Sequence, residues 1–365
     1  MTAASRFPAC SAPASAATTR GGAARAAGCP VRRHSQCCSH AALLLAAAAA
    51  LVLTACSNPQ STLAPAGVEA ERVARLFWVM LAGAVVVWVA VVGVALYATR
   101  AAAERHGPRA ARWLIIGGGV VTPTVVLGAL LIYGLTLMPA LRAPASPGSV
   151  QVEVSGEQWW WRVRYLPPGG EAIELANEIR IPVGQRTQFR LVSPDVIHSF
   201  WIPSLAGKVD MIPGRVNTLV IEPQRTGVFR GACAEFCGAS HAYMEFVVVV
   251  MEPDAFERWL RHQAIPAAPP RLPITQRGQQ AFASNGCGAC HTVRGTPADG
   301  VLGPDLTHVG SRLSLAAGVL PNTPPAFRRW VARTHAVKPD VLMPPFGMLP
   351  ADEVDALAAY LESLQ

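Results

Sequence analysis

Two long apolar runs constrain this chain more than any other feature of its sequence. The first extends from Val73 to Tyr97 with Arg75, near its start, as its one charge; the second extends from Trp113 to about Leu141 without a charge. About 20 apolar residues suffice for a helix to cross a bilayer, so each run predicts a transmembrane helix. With 51% hydrophobic residues over 365 positions, the chain is too apolar for an ordinary soluble protein and long enough for two or three domains.

The loop between the two runs predicts their orientation. Segment 98–112 contains four arginines and one glutamate, whereas Glu69 and Glu71 precede the first run. Because positively charged loops stay in the cytoplasm, both outer ends are expected in the periplasm. The chain is therefore expected to cross a bacterial inner (plasma) membrane twice, with its folded domains on the outer side.

Residues 1–55 are predicted to be a leader that is removed on export. The short apolar segment AALLLAAAAALVL after an arginine-containing start is typical of a secretory signal. It ends in Leu53-Thr54-Ala55-Cys56, which matches the lipobox of bacterial lipoproteins and predicts lipidation of Cys56. The alternative is an ordinary signal peptide with an incidental cysteine. Five arginines of the formal charge of +8 lie in this leader, so we do not expect nucleic-acid binding.

Loss of the leader makes the cysteine count informative. Five of the nine cysteines remain, namely Cys56 and the two close pairs Cys233/Cys237 and Cys287/Cys290. If Cys56 carries lipid, no cysteine is left over for a structural bridge. The two pairs are therefore expected to serve cofactors.

The composition changes twice after the apolar runs. From Val150 to about Met251, short β-branched and aromatic runs between Pro/Gly turns predict an all-β sandwich or barrel. The segment PDAFERWLRHQA and the chain from Gln276 onward have helical patterns, and the Pro-rich segment between them predicts a stiff linker. We expect a leader at 1–55, a transmembrane hairpin at 56–148 (spans about 73–97 and 113–138), a β domain at 149–263, a linker at 264–273 and a helical domain at 274–365.

Cys287, Cys290 and His291 form the C-x-x-C-H attachment motif of c-type haem. Two thioether bonds anchor the porphyrin, and the next residue offers an imidazole to the iron. A thioredoxin-like redox pair or half a zinc site is the alternative, but the segment lacks a βαβ context. The segments FASNGCGACHTVRG, GPDLTHVG and VLMPPFGML resemble a class I cytochrome c over residues 274–365.

That resemblance implies roles for further residues of the helical domain. Met343, in a Met-Pro context, would be the second axial ligand of the iron. Three other residues compete for this role: Met348, His308 and His335. The carbonyl of Pro304 would accept the Nδ1 proton of His291. Three residues resemble the close crossing of the first and last helices in this family: Gly278, Phe282 and Tyr360.

The segment CAEFCGASHAYM, from Cys233 to Met244, allows a disulfide, a zinc site, a redox switch or a copper site. Zinc fingers typically add a second ligand pair some distance away, and a disulfide would not explain His241 or Met244. Thiolate, imidazole and thioether together suit copper. A mononuclear blue site needs only one cysteine, so the second cysteine requires an explanation. Two bridging thiolates and two imidazoles could hold two coppers. His198 in VIHSFWIPSL is the candidate for the second imidazole.

These segments, together with DMIPGR, resemble the signature segments of cytochrome c oxidase subunit II, which carries the dinuclear CuA centre on a cupredoxin fold. The resemblance implies a multidomain membrane protein of the caa3 type, with a two-helix transmembrane hairpin, an all-β cupredoxin (Greek-key) domain and an all-α class I cytochrome c domain. It would be the electron-input subunit of an aa3/caa3-type terminal oxidase. Electrons would pass from cytochrome c or another periplasmic donor through covalent haem c to CuA, and on to subunit I.

Oxygen reduction and proton pumping would take place in subunit I, since this chain has no oxygen-reducing site of its own; subunit I and other oxidase subunits would be its partners. The alternative is a CuA-containing electron-transfer subunit of another haem-copper enzyme, of the nitric-oxide reductase type. A quinol-oxidase subunit would lack the copper ligands, and a copper chaperone would lack the haem motif.

The resemblance also implies a complete ligand set. The copper ligands would be His198, Cys233, the backbone carbonyl of Glu235, Cys237, His241 and Met244. The Glu235 carboxylate would reach a Mg²⁺ ion shared with subunit I. Trp159 in GEQWWWRVRY would be the residue through which electrons enter the copper domain, with Trp160 and Trp161 as competitors.

Two departures from the family are visible. The loop RVRYLPPGG contains Arg162 and Arg164 where many members carry acidic residues that dock a basic soluble cytochrome c. We hypothesise that the tethered haem domain replaces that docking and receives the external donors. The second span contains Pro123 but no acidic residue for a proton path, so another subunit supplies the acid or proton uptake differs.

Overall fold

Two apolar helical segments form the first part of the structure. The computed structural model describes residues 58, 60–100, 107–146 and 148–365, so the predicted leader and Cys56 lie outside the described residues. Helix α1 spans Val68–Arg100. The second segment consists of α2 (Pro108–Trp113), a π-helical stretch (Leu114–Val121) and α3 (Thr122–Arg142). By length and composition both segments could cross a membrane, as predicted.

The β domain is a sandwich of two five-stranded sheets, with strand orders β3-β2-β1-β5-β8 and β4-β10-β9-β6-β7. The strands are β1 Val150–Glu157, β2 Trp160–Tyr165, β3 Ile173–Ala176, β4 Glu178–Pro182, β5 Thr187–Val192, β6 His198–Trp201, β7 Val209–Met211, β8 Asn217–Ile221, β9 Gly227–Cys233 and β10 Glu245–Met251. The β1/β5 and β4/β10 pairs are parallel, whereas the other pairs are antiparallel. This architecture confirms the predicted cupredoxin-like domain.

Aromatic side chains fill the space between the two sheets. The rings of Phe200 and Phe246 stack with centroids 4.8 Å apart, and Trp161 lies 5.0 Å from Phe246. Gly231 makes room for this cluster, since a Cβ atom there would lie 2.1 Å from the Phe246 ring. Alternation along β2 sends Trp161 into the core and leaves Trp160 on the other face.

The helical domain follows helix α4 (Pro253–Ala264) and the linker. Its elements are α5 Pro273–Ser284, β11 Ser314–Leu315, β12 Leu320–Pro321, α6 Pro324–Ala332, α7 Thr334–Val337 and α8 Ala351–Ser363. Helices α5 and α8 cross where Gly278 meets the backbone of Ala356, and the rings of Phe282 and Tyr360 lie 5.7 Å apart. The expected crossing of the first and last helices of a cytochrome c fold is therefore present.

The linker lies against the helical domain. Arg294 donates from Nη2 to the carbonyl of Gln263 at 2.7 Å, and its own carbonyl accepts the N–H of Ala267 at 2.9 Å. His308 contacts the carbonyl of Ile265 through Nε2 at 3.0 Å. All described residues belong to one compact unit, Ala55–Gln365. The composition of the linker predicts a stiff spacer. The structure shows in addition that hydrogen bonds hold the linker against the helical domain.

Candidate metal centres

The copper candidates converge at one end of the β sandwich. His198 begins β6, Cys233 ends β9, and the loop between β9 and β10 supplies Cys237, His241 and Met244. The two Sγ atoms lie 3.8 Å apart, and the Nδ1 of His198 lies 3.8 Å from the Sγ of Cys233. On the other side, the Sγ of Cys237 lies 3.5 Å from the Nδ1 of His241 and 3.8 Å from the Sδ of Met244. The structure thus brings all these side chains together.

The donor set matches the chemistry that copper requires. The carbonyl oxygen of Glu235 lies 3.2 Å from the Sγ of Cys233, which adds a sixth donor. His198 is 0% exposed, and Cys233, Cys237 and Met244 are buried as well. Soft sulfur donors and imidazoles in a dry pocket fit copper better than they fit a hard cation. Two cysteines in the middle of the set, each with its own imidazole, fit a bridged pair of ions.

Asp195 orients the His198 ring from outside the donor set. Its Oδ1 lies 2.9 Å from the Nε2 of His198, and its Oδ2 accepts the N–H of Gln158 at 2.7 Å. Burial opposes protonation of His198, but the hydrogen bonds to Asp195 and Cys233 raise its pKa to about 9. The carboxylate leaves Nδ1 as the nitrogen that faces the thiols, the usual arrangement behind a metal-bound histidine.

The two thiols form a hydrogen bond. The hydrogen bond between them lowers the pKa of Cys233 and raises the pKa of Cys237. One member of the pair is therefore ready to bind a metal as thiolate, and metal binding must displace the proton of the other.

Sequence reasoning missed Asp195 and Gln158. The Nε2 of Gln158 and the Nε1 of Trp159 donate to the same carbonyl of Cys237, at 2.8 and 3.0 Å. Both missed residues lie close in sequence to candidates, Asp195 three positions before His198 and Gln158 next to Trp159, but this closeness does not identify their hydrogen-bond partners. Gln158 and Trp159 are 79 and 78 positions from Cys237, so the sequence does not reveal their contact with its carbonyl.

The carboxylate of Glu235 points away from the thiols. Its Oε2 lies 3.3 Å from the Nζ of Lys208, which also binds Asp210 at 3.1 Å. Ser199 donates to the same Asp210 oxygen at 2.7 Å. The backbone and side chain of Glu235 therefore face different surroundings, as two separate metal roles require.

The three consecutive tryptophans occupy different environments. Trp161 is a core residue, and Trp160 lies 4.7 Å from the guanidinium of Arg162. Trp159 has the direct contact with the copper loop through Cys237, yet it is only 7% exposed. This geometry favours Trp159 over its neighbours as the residue coupled to the copper loop.

Arg162 and Arg164 lie within strand β2 and not in the expected loop. Arg162 is buried, with 7% of its surface exposed, and its guanidinium forms ion pairs with Glu157 and Glu174. Arg164 binds Glu174 at 2.9 Å. The expectation that both arginines lie in a loop is therefore wrong, because β2 continues to Tyr165 and adjacent strands supply carboxylates that pair with both arginines.

The haem motif lies directly after α5. The Nδ1 of His291 lies 2.9 Å from the carbonyl oxygen of Pro304, the partner expected from the family resemblance. Gly303 permits this approach, since a Cβ atom there would lie 2.5 Å from the imidazole ring. Burial lowers the pKa of His291, which favours the neutral ring that binds iron. Cys287 is half-buried, and Cys290 is exposed.

The geometry separates Met343 from its competitors. Met343 is half-buried, and its carbonyl accepts the Thr334 hydroxyl at 3.1 Å. Met348 is 76% exposed, and both ring nitrogens of His308 face backbone carbonyls. His335 is exposed, with its Nε2 3.0 Å from the carbonyl of Val341. These surroundings support Met343 as the second haem ligand.

Exposed apolar side chains flank both candidate haem ligands. Val301 and Leu302 precede the Gly303–Pro304 segment that contacts His291, and Leu342 precedes Met343. An apolar surface of this kind is what a porphyrin would cover. The residues present therefore fit a covalently attached haem.

Comparison with known proteins matches both domains. The family model for the periplasmic domain of cytochrome c oxidase subunit II matches residues 166–251, and the family model for cytochrome c matches residues 275–365. The matched families imply copper for the first domain and haem for the second.

Curated relatives extend the match beyond one domain. Cytochrome c oxidase subunit 2 of Alkalihalophilus pseudofirmus is 34% identical over 250 residues, which are 67% of this chain and 71% of the relative. The protein of the same name from Bacillus sp. (strain PS3) is 33% identical over 228 residues, 60% of this chain and 63% of the relative. Among solved structures, the periplasmic domain of cytochrome oxidase subunit II of Bradyrhizobium japonicum is 29% identical with a TM-score of 0.31, covering 34% of this chain and 96% of that chain.

Proposed function

Because this chain belongs to the cytochrome c oxidase subunit II family, whose members are parts of haem-copper oxidase complexes, we propose that it is the electron-input subunit of an aa3/caa3-type terminal oxidase. Electrons pass from an external donor to a covalent haem c, then to a dinuclear CuA centre, and on to subunit I for oxygen reduction coupled to proton pumping. The observation that carries this proposal is the convergence of six copper-type donors around two cysteines whose Sγ atoms lie 3.8 Å apart.

Each side chain of the proposed copper centre has a defined task. Cys233 and Cys237 would hold both ions through their thiolates, and His198 and His241 would each supply an imidazole to one of them. Two further donors complete the set, the Met244 thioether and the Glu235 carbonyl. When bound, the copper pair would supply a one-electron couple. Asp195 supports this function, because it holds the His198 ring in a fixed orientation.

The proposed haem site has an equally simple division of tasks. Cys287 and Cys290 would hold the macrocycle through thioether bonds, and His291 and Met343 would bind the iron. The Pro304 carbonyl accepts the Nδ1 proton of His291, which leaves Nε2 as the nitrogen that would bind iron. When bound, the haem supplies a second one-electron couple, and a thioether ligand raises its potential.

External donors are proposed to reduce the haem domain and not the copper domain. Trp159, the residue coupled to the copper loop, is buried, so a soluble protein cannot contact it directly. The charges on the sheet that follows cancel, because Glu153, Glu157 and Glu174 pair with Arg162, Arg164 and Arg190. A neutral surface offers no electrostatic steering to a basic cytochrome c.

The remaining proposals concern the membrane and the partner subunits. The two apolar helical segments are proposed to span the bacterial inner membrane, with the copper and haem domains on the periplasmic side. The outward-facing Glu235 carboxylate is proposed to bind a Mg²⁺ ion shared with subunit I. Cys56 is proposed to carry lipid at the mature N-terminus.

Spectroscopy of the purified complex tests the proposed function. We expect the copper EPR hyperfine pattern of one electron shared equally by two ions, together with the α-band of a c-type haem. Cys237→Ser should abolish the shared-electron pattern and retain the haem band, which makes it a matched control. A single-copper pattern in the unmodified complex, or no copper signal, would overturn the proposal.

A further inference from the structure

Lys338 joins the two metal-binding domains from a buried position. It follows helix α7 directly, is one of two lysines in the chain, and its side chain is almost fully buried at 2% exposure. Its Nζ donates to the backbone carbonyls of Trp159 and of Ala316, the latter at 3.2 Å. The first carbonyl belongs to the β domain and the second to the helical domain. The amino group of Lys338 therefore bridges the two domains.

Stability alone does not explain this side chain. Burial of a lysine is costly, and an apolar residue of similar volume would fill the space at lower cost. Within the described residues, Lys338 forms no ion pair, and its partners are carbonyls. Burial lowers the pKa of its amino group to about 7. Both the charged and the neutral amine have N–H groups that donate to the two carbonyls.

The contacts around Lys338 all lie beside the proposed copper ligands. The Trp159 indole donates to the carbonyl of Cys237 at 3.0 Å. The hydroxyl of Ser240, adjacent to His241, donates to the carbonyl of Pro339 at 2.5 Å. The N–H of Glu245, adjacent to Met244, donates to the carbonyl of Ala317 at 3.0 Å. The helical domain thus contacts the copper loop at two points, through Pro339 and Ala317, each next to a proposed ligand, and reaches it a third time indirectly through Trp159.

A second set of contacts fixes the orientation of the helical domain. Arg162 donates from Nη2 to the carbonyl of Val301 at 2.9 Å. The N–H of Leu313 donates to the carboxylate of Glu178 at 2.7 Å. Together with the linker contacts, these hydrogen bonds hold the helical domain in one orientation against the β domain. In that orientation the Lys338 amine contacts the Trp159 carbonyl.

We propose that Lys338 is a positioning residue for electron transfer between the two metal centres, because its bond to the Trp159 carbonyl holds the haem-binding domain in one orientation against the copper loop. This inference rests on the proposed function. With both groups bound, the reduced haem would give one electron to the oxidised copper pair, and this step would break no bond and move no proton. Lys338 acts through Trp159 by keeping the donor and acceptor at a fixed separation.

Amine labelling of the full chain, loaded with both metals in detergent, tests the position of Lys338. Acetylation with a water-soluble amine reagent is followed peptide by peptide with mass spectrometry. Lys208, whose side chain is 46% exposed, serves as the internal control. We expect Lys208 to react at least about tenfold faster than Lys338, and both to react equally in urea. Equal rates in the folded chain would overturn the proposed orientation, whatever the metal spectra show.

Two variants of the intact oxidase test the function of Lys338. Lys338→Met removes the amine at similar length, and Arg328→Met removes an exposed charge from the same domain. After photochemical reduction of the haem, Lys338→Met should slow electron transfer to copper by about tenfold, since one strong hydrogen bond to the docked pose is lost. Arg328→Met should match the unmodified oxidase. Haem and copper spectra should be unchanged in both variants.

Solvent viscosity distinguishes positioning from a merely structural role. In Lys338→Met, transfer should wait for domain motion and slow as glycerol is added, whereas the rate in the unmodified oxidase should not depend on glycerol. A Lys338→Met rate equal to the unmodified rate, at all viscosities, would overturn the inference and leave the proposed function intact. Absence of the copper or haem spectrum in the unmodified oxidase would instead overturn the proposed function.

Discussion

The two ring nitrogens of His198 have different roles in the proposed copper site: one faces the thiols that would bind copper, and the other contacts a supporting carboxylate. Its Nδ1 faces the Cys233 thiol at 3.8 Å, and its Nε2 faces the Asp195 carboxylate at 2.9 Å. Gly156 packs on the ring, since a Cβ atom there would lie 3.0 Å from it. The ring is therefore fixed by contacts on several sides before a metal binds, which lowers the cost of assembling the centre.

Asp195→Asn should weaken copper binding. The amide still accepts hydrogen bonds, but it lacks the charge that makes the imidazole a better ligand, so we expect affinity to fall about 10- to 100-fold. Competition between the full chain and a copper chelator measures this change. Asp254→Asn, in the exposed first turn of α4, is the matched control. Unchanged affinity in Asp195→Asn would contradict the supporting role.

Glu235→Gln should separate the two proposed roles of this residue. Its carbonyl faces Cys233, and its carboxylate faces Lys208. The substitution keeps the backbone donor, so the copper EPR and optical spectra should be unchanged. Binding of Mn²⁺, used as a paramagnetic substitute for Mg²⁺ in the assembled oxidase, should weaken because a carboxylate ligand is lost. Loss of the copper signal would show that the Glu235 side chain contributes to the copper centre, which contradicts its assignment to Mg²⁺.

Motif residues were predictable at this scale, and their supporting residues were not. Ligand spacing in CAEFCGASHAYM and C-x-x-C-H follows from coordination chemistry, so Cys233, Cys237 and His291 could be named from sequence. Asp195 and Gln158 act through hydrogen bonds whose partners depend on how loops meet. No local pattern records such contacts.

At the scale of elements, helices α5 and α8 form the framework of the haem domain. Buried residues of α8, among them Val354, Leu357, Ala358 and Leu361, recur at helical spacing, which made the helix predictable. Strand β2 shows the limit of this approach. The segment RVRYLPPGG resembled a loop, but cross-strand pairing with β1 and β3 continues the strand to Tyr165, a long-range effect that local composition does not contain.

Gly278→Ala should destabilise the haem domain. A Cβ atom at this position would lie 2.0 Å from the carbonyl oxygen of Ala356, so the two helices would have to separate. Overpacking should outweigh the gain in helix propensity and lower the free energy of unfolding by about 1–3 kcal/mol. Guanidinium unfolding followed by haem absorbance measures the loss. Gly207→Ala, where a Cβ atom meets open space, is the control, and equal stability of the two variants would contradict the close crossing.

At the scale of the whole molecule, the haem domain covers the part of the copper domain that contains Trp159. The order of domains was predictable from composition and motifs, because each domain has its own pattern. Their contact was not, since Lys338 and Trp159 are 179 positions apart in the sequence and neither has a local signal of an interface. The cytochrome c segment predicts a fold, and only the tertiary structure shows which face meets the copper loop.

Deletion of residues 274–365 should slow reduction of copper by a basic soluble cytochrome c. Without the haem domain Trp159 becomes accessible, but the charges around it are paired and offer no acidic docking surface. Stopped-flow absorbance of the copper centre measures the rate in the truncated and full chains. The copper EPR signal of the truncated chain verifies that its centre is intact. Equal rates would exclude the haem domain as the receiver of external electrons.

In the proposed electron path, the haem domain that covers Trp159 would also set the kinetic order of copper reduction. In the proposed arrangement the donor is already in place, so the step is unimolecular and its rate does not depend on how often soluble carriers collide with the copper domain. Ionic strength and carrier abundance in the periplasm then act on the haem alone. The oxidase can therefore exchange one external carrier for another without any change at its copper centre.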